Sequence, residues 1–245
     1  MKSPVEAQRI SPVQDQWARY KVDVAGVFPA WKRTEFERED SCFLGVSLEN
    51  PKFTLPKVTA MAEWIACRFS RCTVLIGDSI HRITLETTRS MPAEAAEAQA
   101  LRLGSEFVQT RRHVFDSFLD RFQILTCGEV QDWPDYAHYH RTVLDFFQEN
   151  RQFRRSVEDF ARIYHDRRTE PLTQAERQWR IARSSHYFLE EFAIFCCLRR
   201  RGIQVMVYPG SFSTLAEIAS GVHPGAPAEL SDITVISLHF KGRRT

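Results

Sequence analysis

The chain has 245 residues, with 33 Lys and Arg against 31 Asp and Glu, so its net charge of +2 gives no bulk attraction to polyanions; any nucleic-acid contact must come from local clustering. A hydrophobic content of 43% and an aromatic content of 12% suffice for one full α/β core. The six cysteines (Cys42, Cys67, Cys72, Cys127, Cys196 and Cys197) show no C-x-x-C spacing and fall largely in apolar runs, as reduced core cysteines do, and no apolar stretch reaches membrane length; a cytoplasmic, monomeric protein without membrane contact is expected.

Residues 1–20 are polar and read as a flexible segment ahead of one domain over residues 21–241. Val22–Phe28 alternates weakly, as a first strand would, and a charged loop runs to Asp40. Ser41–Val46 is a nearly continuous apolar run, the pattern of a strand covered on both faces. It breaks at Ser47-Leu48-Glu49-Asn50-Pro51, and helical spacing follows from Leu55 to Phe69. Cys72–Ile76 is the next strand, ended by Gly77-Asp78, and Pro92 opens an Ala- and Glu-rich helix towards Phe118. Ile124–Cys127 reads as a further strand. Strand, helix, strand, long helix, strand is the rhythm of a doubly wound parallel sheet.

From Tyr136 the apolar residues recur at three–four spacing through Tyr164, interrupted at Asn150, which one long helix or two collinear ones would satisfy. Its outer positions carry Arg141, Arg151, Arg154, Arg155, Arg162, Arg167 and Arg168, diluted by acidic residues into a solvated charged face. Thr173 with Glu176 forms a capping-box signature for a helix reaching about Arg201, where Gly202 stops it. Ile203–Val207 is a strand, Tyr208-Pro209-Gly210 a turn, Thr214–Ser220 a short helix, and Ile233–Phe240 closes the sheet.

Three positions carry chemistry. Ser47 stands where a buried strand gives way to a helix, and α/β sheets bind ligands at the carboxyl ends of their strands. Gly45, without a Cβ, allows close approach there. A serine satisfying a loop amide is the plain alternative, and a Gly-x-Ser-x-Gly elbow is excluded because Glu49 stands where its second glycine belongs. The second position is the helix from Tyr187 to Leu198, apolar almost all round. Tyr187 and Glu191 share a face, while Glu190 points about 100° away, beside His186 and Arg183, where a structural ion pair accounts for it. A carboxylate inside an apolar helix is costly unless a cation meets it, and for Glu191 an arginine of the fold or the ammonium of a substrate serves equally well. The third is Tyr208, which ends a strand as Ser47 and Asp78 do, on one edge of the sheet. A glycine-rich phosphate loop and an H-E-x-x-H motif are both missing, and His138-x-His140 points to two helix faces, so neither nucleotide nor metal is indicated.

In this order and spacing, Gly45-Val46-Ser47 with Asn50, Tyr187 with Glu191, and Tyr208-Pro209 resemble the tRNA-dependent cyclodipeptide synthases. A helix with Ala100-Leu101-Arg102-Leu103-Gly104 and then Arg111-Arg112 agrees with the family's basic helix. The resemblance spans about residues 22–240 and implies one Rossmann-like domain similar to the catalytic domains of class I aminoacyl-tRNA synthetases, without their nucleotide motifs and without a cofactor. It implies Ser47, Tyr187, Glu191 and Tyr208 as catalytic residues, and Phe43, Gly45, Asn50, Asp78, Ile194 and Met206 as substrate-binding ones. Arg102, Arg111 and Arg112 would contact tRNA, and the substrates would be two aminoacyl-tRNAs joined into a cyclic dipeptide. The chain departs from the family at Ala193, where proline is frequent, and it combines Asn50, typical of one branch, with Pro209, typical of the Tyr-Pro branch. Two other readings stay open on the residues alone: a non-catalytic RNA-binding protein using the same basic helix, and a small serine esterase, which needs a histidine beside Ser47.

Overall fold

The computed structural model describes residues 19–166, 172–210 and 213–242. The segment expected to be flexible lies outside the described residues up to residue 18, as do Arg167 and Arg168; Tyr20 already belongs to the first strand.

Six strands form one sheet: β1 (Tyr20–Phe28), β2 (Ser41–Val46), β3 (Arg71–Ile76), β4 (Phe122–Thr126), β5 (Val205–Pro209) and β6 (Thr234–Gly242), in the order β1-β6-β5-β2-β3-β4. All neighbours run parallel except β1, which pairs antiparallel with β6 at the edge. The central strands are buried on both faces, which is why β2 and β3 read as unbroken apolar runs. Cys42, Leu44 and Val46 point into one core, with α1 (Leu55–Ala66) and the end of a long helix that includes Val114 and Phe115. Phe43, Leu75, Met206 and Val235 point into the other.

Two helices follow β3. The first, α2 (His81–Arg89), has no counterpart in the hydrophobic spacing, because polar His81, Glu86 and Thr87 are among its buried residues. The second is α3 (Ala93–Asp116), opened by Pro92 as expected. After β4 come α4 (Cys127–Gln131), α5 (Tyr136–Glu149) and α6 (Arg151–Asp166). The chain breaks between the last two at Asn150, whose backbone is extended and whose side-chain oxygen accepts from the Phe153 amide at 2.9 Å. That cap resolves the interrupted spacing into two helices.

The longest element is α7 (Gln174–Arg200), started by the Thr173–Glu176 capping box. Leu189 to Leu198 are all buried, since the sheet covers one side and neighbouring helices the others. Two short helices, α8 (Ser213–Ala219) and α9 (Ala228–Ser231), complete the fold. The chain leaves β2 towards β3 in one direction and β5 towards β6 in the other. Between the carboxyl ends of β2 and β5 the connections therefore diverge, and such a switch point leaves a crevice.

Candidate active site

Ser47 lies just past β2 and Tyr208 at the end of β5, so the two face each other across this switch point. Their hydroxyl oxygens are 3.0 Å apart. Asn50 donates from Nδ2 to the Tyr208 hydroxyl at 3.3 Å, while its Oδ1 accepts from the Lys52 amide at 3.0 Å, which fixes the orientation of the side-chain amide. Asn50 takes one lone pair of the Tyr208 oxygen, and either hydroxyl can be the donor in its contact with Ser47. Gly45 floors this contact: a Cβ there would sit 3.3 Å from Met206 Cε and 3.6 Å from Tyr208 Cδ2.

Between Ser47 and Asn50 the backbone is unusual. Glu49 has φ +57°, a left-handed conformation that costs a non-glycine residue about 1–2 kcal/mol. Its carboxylate reaches α2, accepting from Arg89 at 2.7 and 2.8 Å and lying 3.1 Å from His81 Nε2. Burial works to raise the Glu49 pKa, but the hydrogen bonds from Arg89 and His81 outweigh it, and the carboxyl ends below its ordinary range. His81 is itself held below the usual imidazole range, chiefly by burial.

The other wall is α7. Glu191 is 8% exposed, its Oε2 has no hydrogen-bond partner, and no ion pair to it forms among the described residues. Burial pushes its pKa up to about 8. The adjacent Glu190 is equally buried but satisfied, by Arg82 at 2.6 Å and the Gln131 amide at 3.0 Å. The ion pair expected for Glu190 thus exists, though not with Arg183, which pairs instead with Glu86 of α2. Arg82 and Arg183 are thus engaged elsewhere, and among the described residues none pairs with Glu191. Tyr187, one turn before it, has its pKa raised by burial, then by the Glu191 and Tyr208 neighbours, against a hydrogen bond to Ser47. Tyr208 is raised too, first by burial, with Glu191 adding to it. Both phenols therefore keep their protons at neutral pH. Ser47, Tyr187, Glu191 and Tyr208 lie together at this crevice.

Asp78 follows β3 and is buried; its Oδ1 accepts from the Gly128 amide at 3.0 Å. The helix α3 crosses directly over it at Gly104, where a Cβ would fall 2.5 Å from the Asp78 Cβ. A glycine inside a 24-residue helix is itself a signal of such close packing. Phe43, Ile194 and Met206 are completely buried, Phe43 against Phe195 with ring centroids 5.2 Å apart. Of the arginines on α3, Arg102 is engaged by Glu106 at 2.6 Å and Gln99 at 2.7 Å, and Arg111 is half-buried over the Phe107 ring. Arg112 is exposed. Glu49, His81 and Arg89 are absent from the sequence-derived site, since a polar loop residue and a helix without apolar spacing carry no local signal. Among the described residues no three His, Cys, Asp or Glu side chains group as a metal requires, no helix is long and apolar enough to cross a membrane, and no histidine hydrogen-bonds Ser47, as an esterase would need.

With this geometry in hand, similarity to known proteins is informative. Residues 31–197 match the family model described as cyclodipeptide synthase, well over half of the chain. A stretch of 130 residues is 25% identical to cyclo(L-leucyl-L-phenylalanyl) synthase from Streptomyces noursei, covering 51% of this chain and 54% of that protein, so the match spans about half the length of this curated relative. The structure of a cyclodipeptide synthase from Fluoribacter dumoffii superposes with a TM-score of 0.78 at 20% identity, over 92% of this chain and 100% of that one. Tyrosyl-tRNA synthetase from Archaeoglobus fulgidus superposes with a TM-score of 0.51 at 15% identity, over 88% of this chain and 60% of that one. The α/β fold, with its mostly parallel central sheet, is thus similar in structure to that of a tyrosyl-tRNA synthetase. The match to the family model establishes that the chain belongs to the cyclodipeptide synthase family.

Proposed function

We propose that this protein joins the aminoacyl groups of two aminoacyl-tRNAs into a cyclic dipeptide through covalent intermediates on Ser47. One observation carries the reading: among the described residues a buried carboxyl, Glu191, has no cation, on the wall facing a serine whose hydroxyl contacts Tyr208. A lone buried carboxyl is a standing cost to the fold, and the ammonium of an aminoacyl ester is a ligand that would repay it.

Aminoacyl-tRNA is already an activated ester, so acyl transfer requires no further activation. Ser47 attacks the ester carbonyl, the ester to ribose breaks, and the serine proton ends on the departing ribose oxygen with the Tyr208 hydroxyl as relay. Glu191 and Tyr187 hold the α-ammonium of the resulting aminoacyl-serine. A carboxyl with a pKa of about 8 is neutral when the pocket is empty and ionises as the ammonium arrives. After handing its extra proton to the Glu191 carboxylate, that amine attacks the second aminoacyl ester, forming the peptide bond and releasing the second tRNA, whose ribose oxygen takes up the amine's remaining transferred proton. The new terminal amine then attacks the serine ester, closing the ring and returning the proton to Ser47. Ring closure needs a cis peptide, which costs about 2.5–4 kcal/mol for a non-proline bond; holding amine and ester together offsets it.

Phe43, Ile194 and Met206 form the apolar floor for the first side chain, and Asp78 and Asn50 complete the substrate contacts. Arg102, Arg111 and Arg112 face the tRNA, with Arg112 the most available. Pro209 marks the Tyr-Pro branch, within which Asn50 supplies an additional hydrogen bond to Tyr208. The test is incubation with charged tRNAs, mass spectrometry for diketopiperazines, and trapping with labelled aminoacyl-tRNA. Ser47→Ala should be folded, free of covalent label and inactive. Label retained at another residue would overturn the role of Ser47.

A further inference from the structure

The two walls of the site come from distant parts of the chain, and one helix touches both. From α2, Arg89 and His81 hold Glu49 in the Ser47 loop, while Arg82 holds Glu190 on α7 at 2.6 Å and Glu86 pairs with Arg183 on α7. Glu190 adjoins Glu191, and Glu49 lies two residues from Ser47. Each wall is therefore tied to the same rigid element within two residues of its reacting group. The loop pays for its tie with the left-handed backbone at Glu49. An isolated surface ion pair does not require such a distortion; a defined loop position does.

We propose that Glu49 is a positioning residue: gripped by Arg89 and His81, it locks the Ser47–Asn50 loop onto α2, which Arg82 and Glu86 pin to α7, so that the serine and the Glu191 pocket keep one separation. This rests on the reading of Ser47 as nucleophile and Glu191 as the ammonium site. The ties reach no substrate themselves. Their effect falls on the distance between acceptor and nucleophile, and so on turnover rather than on tRNA binding.

Two variants test this. Glu49→Gly removes the arm while relieving the backbone, because glycine adopts φ +57° freely; Arg89→Met leaves the loop sequence intact and removes its principal partner. Both should melt near the parent temperature. In both, kcat should fall about 10–100-fold with KM for aminoacyl-tRNA changed less than about 3-fold, the pattern of a misplaced nucleophile. Hydrogen exchange at the amides of residues 47–50 should quicken in both, which is measurable without any turnover. Parental exchange in that loop in both variants overturns the tie whatever the activity. Parental kcat in both, or a loss confined to KM, overturns the positioning role. Should the unaltered protein make no cyclic dipeptide from charged tRNAs, the functional reading fails separately, and the exchange rates alone decide whether Glu49 locks the loop.

Discussion

Glu190 and Glu191 are neighbours on one helix and equally buried, yet they live in opposite electrostatic settings. Glu190 looks towards α2 and receives Arg82 and Gln131; Glu191 lies on the face of Tyr187 and receives nothing from the described residues. One carboxylate is held by the scaffold; the other is the one we propose meets the substrate ammonium. The difference shows that burial alone does not set the state of an acid; the partners it finds do.

The sharpest way to break the comparison is Glu191→Gln. Removing the charge that meets the substrate ammonium should lower product formation by about 100-fold or more, the scale of a lost charge-assisted hydrogen bond. Stability should move the other way, with a defined pH dependence. The folded carboxyl titrates at about 8 against 4.5 for the free group, so between those values the folded state keeps a proton that the unfolded state has lost. Stability therefore falls as pH rises through that window. Denaturant melts of parent and Gln variant should agree near pH 4.5 and diverge by about 3–5 kcal/mol in favour of Gln by pH 8–9. Curves that stay parallel across this range would mean that Glu191 has found a partner.

Glu190→Gln is the mirror image and no silent control. It strands Arg82 and should cost about 1–3 kcal/mol of stability, less than a fully buried pair because Arg82 is partly exposed, with activity falling less than in Glu191→Gln. Chemical melts and product yield on the same samples separate the two residues. Tyr208→Phe sits between these cases. It removes the shared partner of Ser47 and Asn50 and should slow acylation of Ser47 about 10–100-fold, read from single-turnover labelling, with stability within about 1 kcal/mol of the parent. The smallest effects belong to the exposed face of α3. Arg112→Ala should reduce the slope of log affinity for tRNA against log salt by about 1, and Arg102→Ala by less, since Glu106 already neutralises it. An equal slope change for both would show that the Arg102–Glu106 pair opens on binding.

Much of the site was legible in the chain. Gly45-Val46-Ser47 ends a run whose unbroken apolarity announces a strand covered on both sides, and Tyr187 and Glu191 share a face by helical spacing alone. The capping box at Thr173 and the opening proline at 92 set the starts of α7 and α3. These are local signals, carried by residues within a turn or a strand of one another. The edge strand β1 was readable as a strand but not in its direction, because alternation says nothing about which way a neighbour runs.

What the tertiary structure alone decided is which charge meets which. Arg82 and Glu190 are 108 residues apart, Glu49 and Arg89 are 40 apart, and either glutamate of α7 has the same claim on an arginine until the helices are packed. The helix α2 escaped notice for a related reason: its inward face mixes Ile83 and Leu85 with His81 and Glu86, which pair across to Glu49 and Arg183. Hydrophobic spacing reports how a segment meets a core, and it is blind to a segment held by long-range ion pairs. Sequence alone marked the strands, the faces of most helices and the candidates Ser47, Tyr187, Glu191 and Tyr208. Packing alone decided that Glu190 would be satisfied and Glu191 left open, because partner choice depends on distances between elements that no local pattern encodes.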